Sequence, residues 1–294
     1  MERNMNSSQK KLDEDLAQIH MKLGEAGLAT FEQLLLATRQ PALRLKMTPQ
    51  DVVPIGQSKF GGQPDLPPAM AYPTIGSTGS IDTGAPAETP LSFLVQINLA
   101  EIACFDFARE LLPETGMLYF FAWNESDDPV PDIALPQLNE RYGACVLYWD
   151  GDLTTLRPDM PSNGVYPFPQ SSLTFEPNWT FPQEWTADDG DSEKEQAFFT
   201  FSEEIIVDGI FCDDDRQLCD YPQRMLGYAS FQQGPPMDKA DMQDFVLLLQ
   251  LEYTVPGMKD FMWLGDAGTL YYLIRRKDLQ ERRFDLARTE GQCG

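Results

Sequence analysis

The chain carries one histidine, His20, among its 294 residues. That scarcity excludes Ser-His-Asp and Cys-His catalytic sets and histidine-rich metal sites, unless a lone imidazole works with distant partners. On a helical stretch, His20 reads as an ordinary polar residue. Positive charge is also in short supply. The 22 Lys and Arg face 46 Asp and Glu, for a formal net charge of −24. Phosphate backbones demand neutralisation by Lys and Arg, so nucleic acid is excluded as a general partner, and anionic membrane lipid with it. A basic protein or peptide is admitted as partner, against the plain alternative that the charge serves solubility. No apolar run approaches the ~18 residues of a membrane span, and MERNMNSSQKKLDEDLAQ holds no apolar signal core. The expected location is therefore cytoplasmic. The five cysteines show neither metal-ligand nor disulfide spacing, as expected of reduced thiols. There is no GxxxxGK[ST], no GxGxxG after a strand and no HExxH. No cofactor and no metal is expected.

What is present points to a folded core. Hydrophobic residues make up 42%, enough for a globular domain, while 23 prolines and 21 glycines punctuate the chain into many short elements. Leu12, Leu16, Ile19 and Leu23 recur at helical spacing, and FEQLLLATRQ forms a second helical run ended by Pro41. Residues 1–41 are accordingly a helical segment, and 42–294 the main domain. From 42 to 90 the pattern is loop-like, with SKFGGQPDLPPAMAYP and IGSTGSIDTGAPAETP. LSFLVQINL reads as a strand, AEIACFDFAREL as a helix and GMLYFFAW as a strand again. ACVLYW and DLTTL, separated by Asp150-Gly151, read as a hairpin. Residues 158–185 read as extended and irregular, anchored by their rings.

An internal echo follows. Phe93-Leu-Val-Gln96-Ile97 resembles Leu247-Leu-Leu-Gln250-Leu251, and each precedes a glycine-led strand, Gly116-Met-Leu-Tyr119 and Gly268-Thr-Leu-Tyr271. The expected fold class is α+β with mostly antiparallel sheets. Two tandem related β-rich units, about 54–157 and 158–294, are expected to share one core behind the N-terminal helical segment.

Candidate site residues come from polar groups in unusual settings. Lys59, Gly61, Gly62 and Pro64 in SKFGGQP allow two readings: an anion cradle of backbone N–H groups with Lys59 as counter-charge, or an architectural turn with left-handed glycines. Architecture is preferred, and on that reading Lys59→Ala leaves the melting temperature nearly unchanged. Gln96 and Gln250 interrupt apolar strands, and a buried amide needs partners, so each is expected to tie a loop backbone, with ligand binding as the alternative. Asp266, between two glycines, resembles a turn-forming aspartate. Residues 184–220 concentrate acid, and Asp213, Asp214 and Asp215 repel one another unless a cation or arginine is near. The acidic run is either a recognition surface or the counterpart of the Arg275–Arg288 basic cluster. Asp189, Asp191, Glu193 and Glu195 alternate like early EF-hand ligands, but Lys194 stands where that loop needs glycine and Thr200 where it needs glutamate.

SKFGGQPDLP, PLSFLVQINLAEI, Gly116-MLYFF, MLGYASFQQGPP, FVLLLQLE, LGDAGTLYYLI with the following KDL, and GQCG occur in this order. In these motifs the chain resembles the YwqG-like bacterial proteins, a family of unknown function. More distantly, Gly61-Gly62-Gln63-Pro64, Leu94-Val-Gln96 and Leu118-Tyr119-Phe120-Phe121 resemble the programmed-cell-death-protein-two group of ribosomal-protein chaperones. The zinc-type cysteine pairs of that group are missing, so no metal carries over. The resemblance implies a non-catalytic protein- or peptide-binding module, chaperone-like or neutralising a basic partner. A small-molecule or cation binder is the alternative, and an unrecognised hydrolase-type enzyme the third reading.

Overall fold

The computed structural model describes residues 2–78, 86–123, 143–162, 165, 167–183, 191–201, 223–252 and 268–293. Two helices open the chain, α1 (Glu2–Glu25) and α2 (Glu32–Ala37). The next elements are β1 (Gln40–Pro49), β2 (Lys59–Phe60), β3 (Asp65–Leu66), β4 (Ser92–Asn98), α3 (Leu99–Ile102), α4 (Asp106–Leu111) and β5 (Met117–Ala122). Then come β6 (Ala144–Trp149), β7 (Arg157–Pro158), β8 (Ser171–Thr180), α5 (Ser192–Thr200), β9 (Arg224–Met225) and α6 (Lys239–Met242). The chain closes with β10 (Phe245–Glu252), β11 (Gly268–Arg275), α7 (Arg276–Gln280) and β12 (Arg288–Cys293).

The fold is α+β with mostly antiparallel sheet. Ten strands form one sheet in the order β12-β11-β10-β9-β1-β8-β2-β4-β5-β6, while β3 and β7 pair separately. The sheet curls until its end strands β6 and β12 face each other, a nearly closed barrel. Tyr272 on β11 reaches across to donate to the Phe121 carbonyl on β5 (2.9 Å) and meets Phe120 edge-on at 5.1 Å. Leu43, Phe60, Leu94, Leu118, Leu248 and Leu270 fill the interior. The outer face is covered as well, around Phe93, Tyr119 and Phe121 at one place and around Leu247, Tyr271 and Leu273 at another. Burial on both faces explains why β4 and β10 read as continuous apolar runs rather than alternating ones.

Three expectations need correction. Residues 40–49 are no loop. Leu43, Leu45 and Met47 are buried while Lys46 and Thr48 are exposed, the period of a strand, and β1 pairs along its whole length with β8. The irregular stretch 158–185 likewise contains the ten-residue β8. The Asp150-Gly151 hairpin does not form either. Asp152 accepts from Thr154 N (2.9 Å) and caps a 3-10 turn over Leu153–Thr155, after which β7 pairs with β3 instead of β6.

Helix α1 docks by Ile19 and Leu23 onto Leu35, Phe181, Phe198 and Phe201, and Trp179 Nε1 donates to the Leu12 carbonyl at 3.0 Å. No helix among the described residues is long and apolar enough to cross a membrane. Asp15 lies in the α1 interface, bonded to Lys11 Nζ at 2.5 Å, with Oδ2 buried and unpartnered among the described residues. Burial raises its carboxyl pKa, against the lowering effect of Lys11. A carboxyl whose folded pKa exceeds the unfolded one costs most when ionised, and the cost fades as pH falls through the raised pKa. Asp15→Asn is therefore expected to raise the melting temperature at neutral pH, with the gain shrinking toward about pH 4. Melting curves across that range check it.

Candidate functional site

Two of the sequence-derived residues of the first half, Lys59 and Gln96, meet in one buried polar cluster. Lys59 and Asp65 are 3% and 0% exposed, and Lys59 Nζ bonds Asp65 Oδ1 at 2.9 Å. Asp65 Oδ2 accepts from Gly56 N (2.9 Å) and from Gln96 Nε2 (2.7 Å). Gln96 also donates to the Gln57 carbonyl and accepts from Asp65 N (2.8 Å), while Tyr119 OH donates to the Asp65 carbonyl (2.7 Å). Every polar group of this buried carboxylate is matched, the condition under which such a network is tolerated. Lys59 is thus the internal partner of Asp65, and the expectation that Lys59→Ala is silent is corrected.

Gly61 and Gly62 take φ of +64° and +68°, where a side chain is strained. Their amides bond the Leu94 and Phe168 carbonyls, both at 2.8 Å, so neither points free toward an anion. Pro64 is buried, and its carbonyl accepts from Asp159 N at 3.0 Å.

The second half holds a counterpart. Gln250 Oε1 accepts from Ser230 N (2.9 Å), and Tyr271 OH donates to the Ser230 carbonyl (2.6 Å). Gln250 Nε2 and Thr269 Oγ1 donate to the two oxygens of buried Glu252. Arg224, paired across the strand with Gln250, is buried too. Burial pulls its pKa down to about 10, with Glu252 acting in the opposite direction. Leu226 and Gly227, just after Arg224, carry φ of 62° and 64°. Both glutamines tie a loop backbone, but sequence alone did not reveal the Tyr119 and Tyr271 phenols as their companions. The pairing of each tyrosine opposite its glutamine needed the strand register.

Of the remaining candidates, Asp213, Asp214, Asp215 and Asp266 lie outside the described residues. In the basic cluster, Arg275 pairs with Asp244 (3.1 Å), Arg282 with Asp150 (3.9 Å) and Arg283 with Asp285 (2.8 Å). Asp191 caps α5 by accepting from Glu193 N and Lys194 N, a helix-start role. His20 contacts the Glu32 carboxylate. Cys104 and Cys145 are free thiols. Among the described residues, no group of three or more His, Cys, Asp or Glu could hold a metal ion.

The surface beside the Lys59–Asp65 cluster offers something sequence reasoning missed. Val52 is 74% exposed, Ile55 52% and Leu153 37%. A Cβ on Gly56 would stand 4.0 Å from Leu153 Cβ, which brings the Leu153 turn against the loop at the residue after Ile55. The loop is held in place. Gln50 Nε2 donates to the Val52 carbonyl (2.6 Å), Asn98 Nδ2 to the Gly56 carbonyl (2.8 Å), and Ser58 N to Glu101 Oε1 (3.2 Å). Asp51 and Asp152 are exposed and adjoin Val52 and Leu153 in the sequence, and burial raises the pKa of the Glu101 carboxyl that holds Ser58 N.

A family model described as Domain of unknown function (DUF1963) matches residues 58–293. The chain belongs to this family. The match takes in both polar clusters and most of the sheet, from β2 to β12. No curated protein matches the chain.

Proposed function

We propose that this DUF1963 member is a non-catalytic protein- or peptide-binding module that docks a basic partner on the Val52–Ile55–Leu153 patch. The observation that carries the reading is the exposure of Val52 and Ile55 on a loop pinned by hydrogen bonds, with exposed Leu153 on a nearby 3-10 turn and the acids Asp51, Glu101 and Asp152 adjoining or bonded to these segments. Apolar side chains that face water from a held loop favour a partner surface over a flexible tip. Acids at the rim, within a chain of net charge −24, favour a basic partner and speed its encounter. The resemblance to the YwqG-like proteins and, more remotely, to dedicated chaperones supports the same role.

The test is selection from a displayed peptide library, followed by affinity measurement at low and physiological salt. Selected peptides are expected to combine an apolar anchor with Lys or Arg. Val52→Asp with Ile55→Asp should weaken them at least tenfold without a change in melting temperature, since both positions are exposed. Selection of acidic peptides, or full affinity in the double variant, would overturn the proposal.

We infer also that the chain is two copies of one β-rich unit. In support, the sheet order reads alike from either end: β6-β5-β4-β2-β8 against β12-β11-β10-β9-β1. Lys59 opposite Gln96 and Ser172 matches Arg224 opposite Gln250 and Arg44. Leu173 N bonding the Ser58 carbonyl matches Leu45 N bonding that of Gln223. On this reading β1 and β8 begin the two units, each laid against the short strand of the other, so the units are interleaved rather than side by side.

A further inference from the structure

We propose a second, separate binding site: the cleft beside α6 takes a small aromatic carboxylate, with its ring on β10 and β11 and its acid on Arg276. The cleft measures about 400 Å³, within the usual range for small-molecule sites. Phe231, Phe245, Leu247 and Leu273 form its walls, and Tyr228 and Arg276 stand among its lining residues. Arg276 is the one charged residue of that lining among the described residues. Its Nε donates to the Gln243 carbonyl at 3.2 Å, which orients the guanidinium, and among the described residues no carboxylate forms an ion pair with it. In a chain with 46 acids, an arginine at an apolar cleft that pairs with no acid among the described residues is poised for an external one. A guanidinium binds a carboxylate through paired, charge-assisted hydrogen bonds, while the apolar walls take the rest of the molecule.

The choice of an aromatic ring rests on the two-unit reading. Tyr72 in the first half lays its ring edge-on against Phe121 at 5.5 Å and donates its hydroxyl to the Leu91 carbonyl (3.0 Å). Phe121 lies two residues beyond Tyr119 as Leu273 lies two beyond Tyr271, and Leu91 precedes Phe93 as Phe245 precedes Leu247. Phe93 and Phe121 of the first half thus correspond to Leu247 and Leu273 in the second, while Leu91 corresponds to the larger Phe245, so the space that Tyr72 covers in the first half is reshaped in the second. A ring of similar size fits where the chain's own ring sits in the other half.

The experiment titrates the full chain with 3-phenylpropionate and with its methyl ester, followed by ligand-observed NMR. The acid is expected to bind saturably and at least tenfold more tightly than the ester. Arg276→Met, at an exposed position, should bring the acid down to the level of the ester without altering the fold. Ala229→Trp, which fills the cleft from its wall, should abolish both. Val52→Asp with Ile55→Asp should leave the affinity unchanged, which separates this site from the peptide-docking patch. Equal binding of acid and ester, undiminished acid binding in Arg276→Met, or no saturable binding of the acid to the wild-type chain would overturn the proposal.

Discussion

Lys59→Met is expected to destabilise the protein by about 3–5 kcal/mol, because it leaves the Asp65 carboxylate charged and uncompensated in the interior. Asp65 is 0% exposed and accepts from Gly56 N and Gln96 Nε2 besides Lys59. None of those neutral donors can replace the charge. A double variant, Lys59→Met with Asp65→Leu, removes both ions and should recover part of the loss, which exposes the coupling between them. Urea unfolding measures this as a shift of midpoint at constant slope. The effect should persist at high salt, since buried pairs are poorly screened. A Lys59→Met midpoint within about 1 kcal/mol of wild type would contradict it.

Gly61→Val is the second large effect, with an expected loss of about 3 kcal/mol or more. Two causes act together. At φ +64° a side chain pays for the left-handed backbone, and a Cβ there would stand 2.4 Å from the Pro169 carbonyl oxygen and 2.7 Å from that of Phe168. Those oxygens belong to backbone and cannot swing aside. Gly234→Ala is the matched comparison: its φ is +83°, but nothing lies within 4 Å of the added carbon. It should cost only the backbone term, about 1 kcal/mol. Equal midpoints for the two variants would show that the close approach at Gly61 carries no weight.

The long apolar runs of β4, β10 and β11 were legible because burial on both faces leaves no polar residue to confuse the pattern. Gln96 and Gln250 stood out for the same reason. The helices α1 and α2 followed from leucine spacing. Strands β1 and β8 were not legible, since Pro41, Pro49 and Pro177 lie within them and speak for turns. Their pairing is also distant in sequence, Gln40 opposite Thr180, and no local pattern reports a partner so far away. The buried status of Lys59 was hidden likewise, because it depends on Asp65 folding back beneath Gln96. The acid bonded to Gln250 is Glu252, two residues on in the same strand, whereas Gln96 meets an acid from a separate strand, and no single residue spacing reports both.

The distance in sequence between β2 and its neighbour β8 bears on how the chain is made. Strand β2 has two neighbours in the sheet, β4 and β8, and β8 emerges about 110 residues later than β2. At synthesis rates of ~5–20 residues per second, the nascent first half waits on the order of 10 s with that edge open. An uncovered edge beside an apolar sheet is the state most prone to pair with a neighbouring chain. The last strand of the sheet, β12, is also the last part of the chain to be made, so the sheet is complete only once nearly all of the chain has emerged.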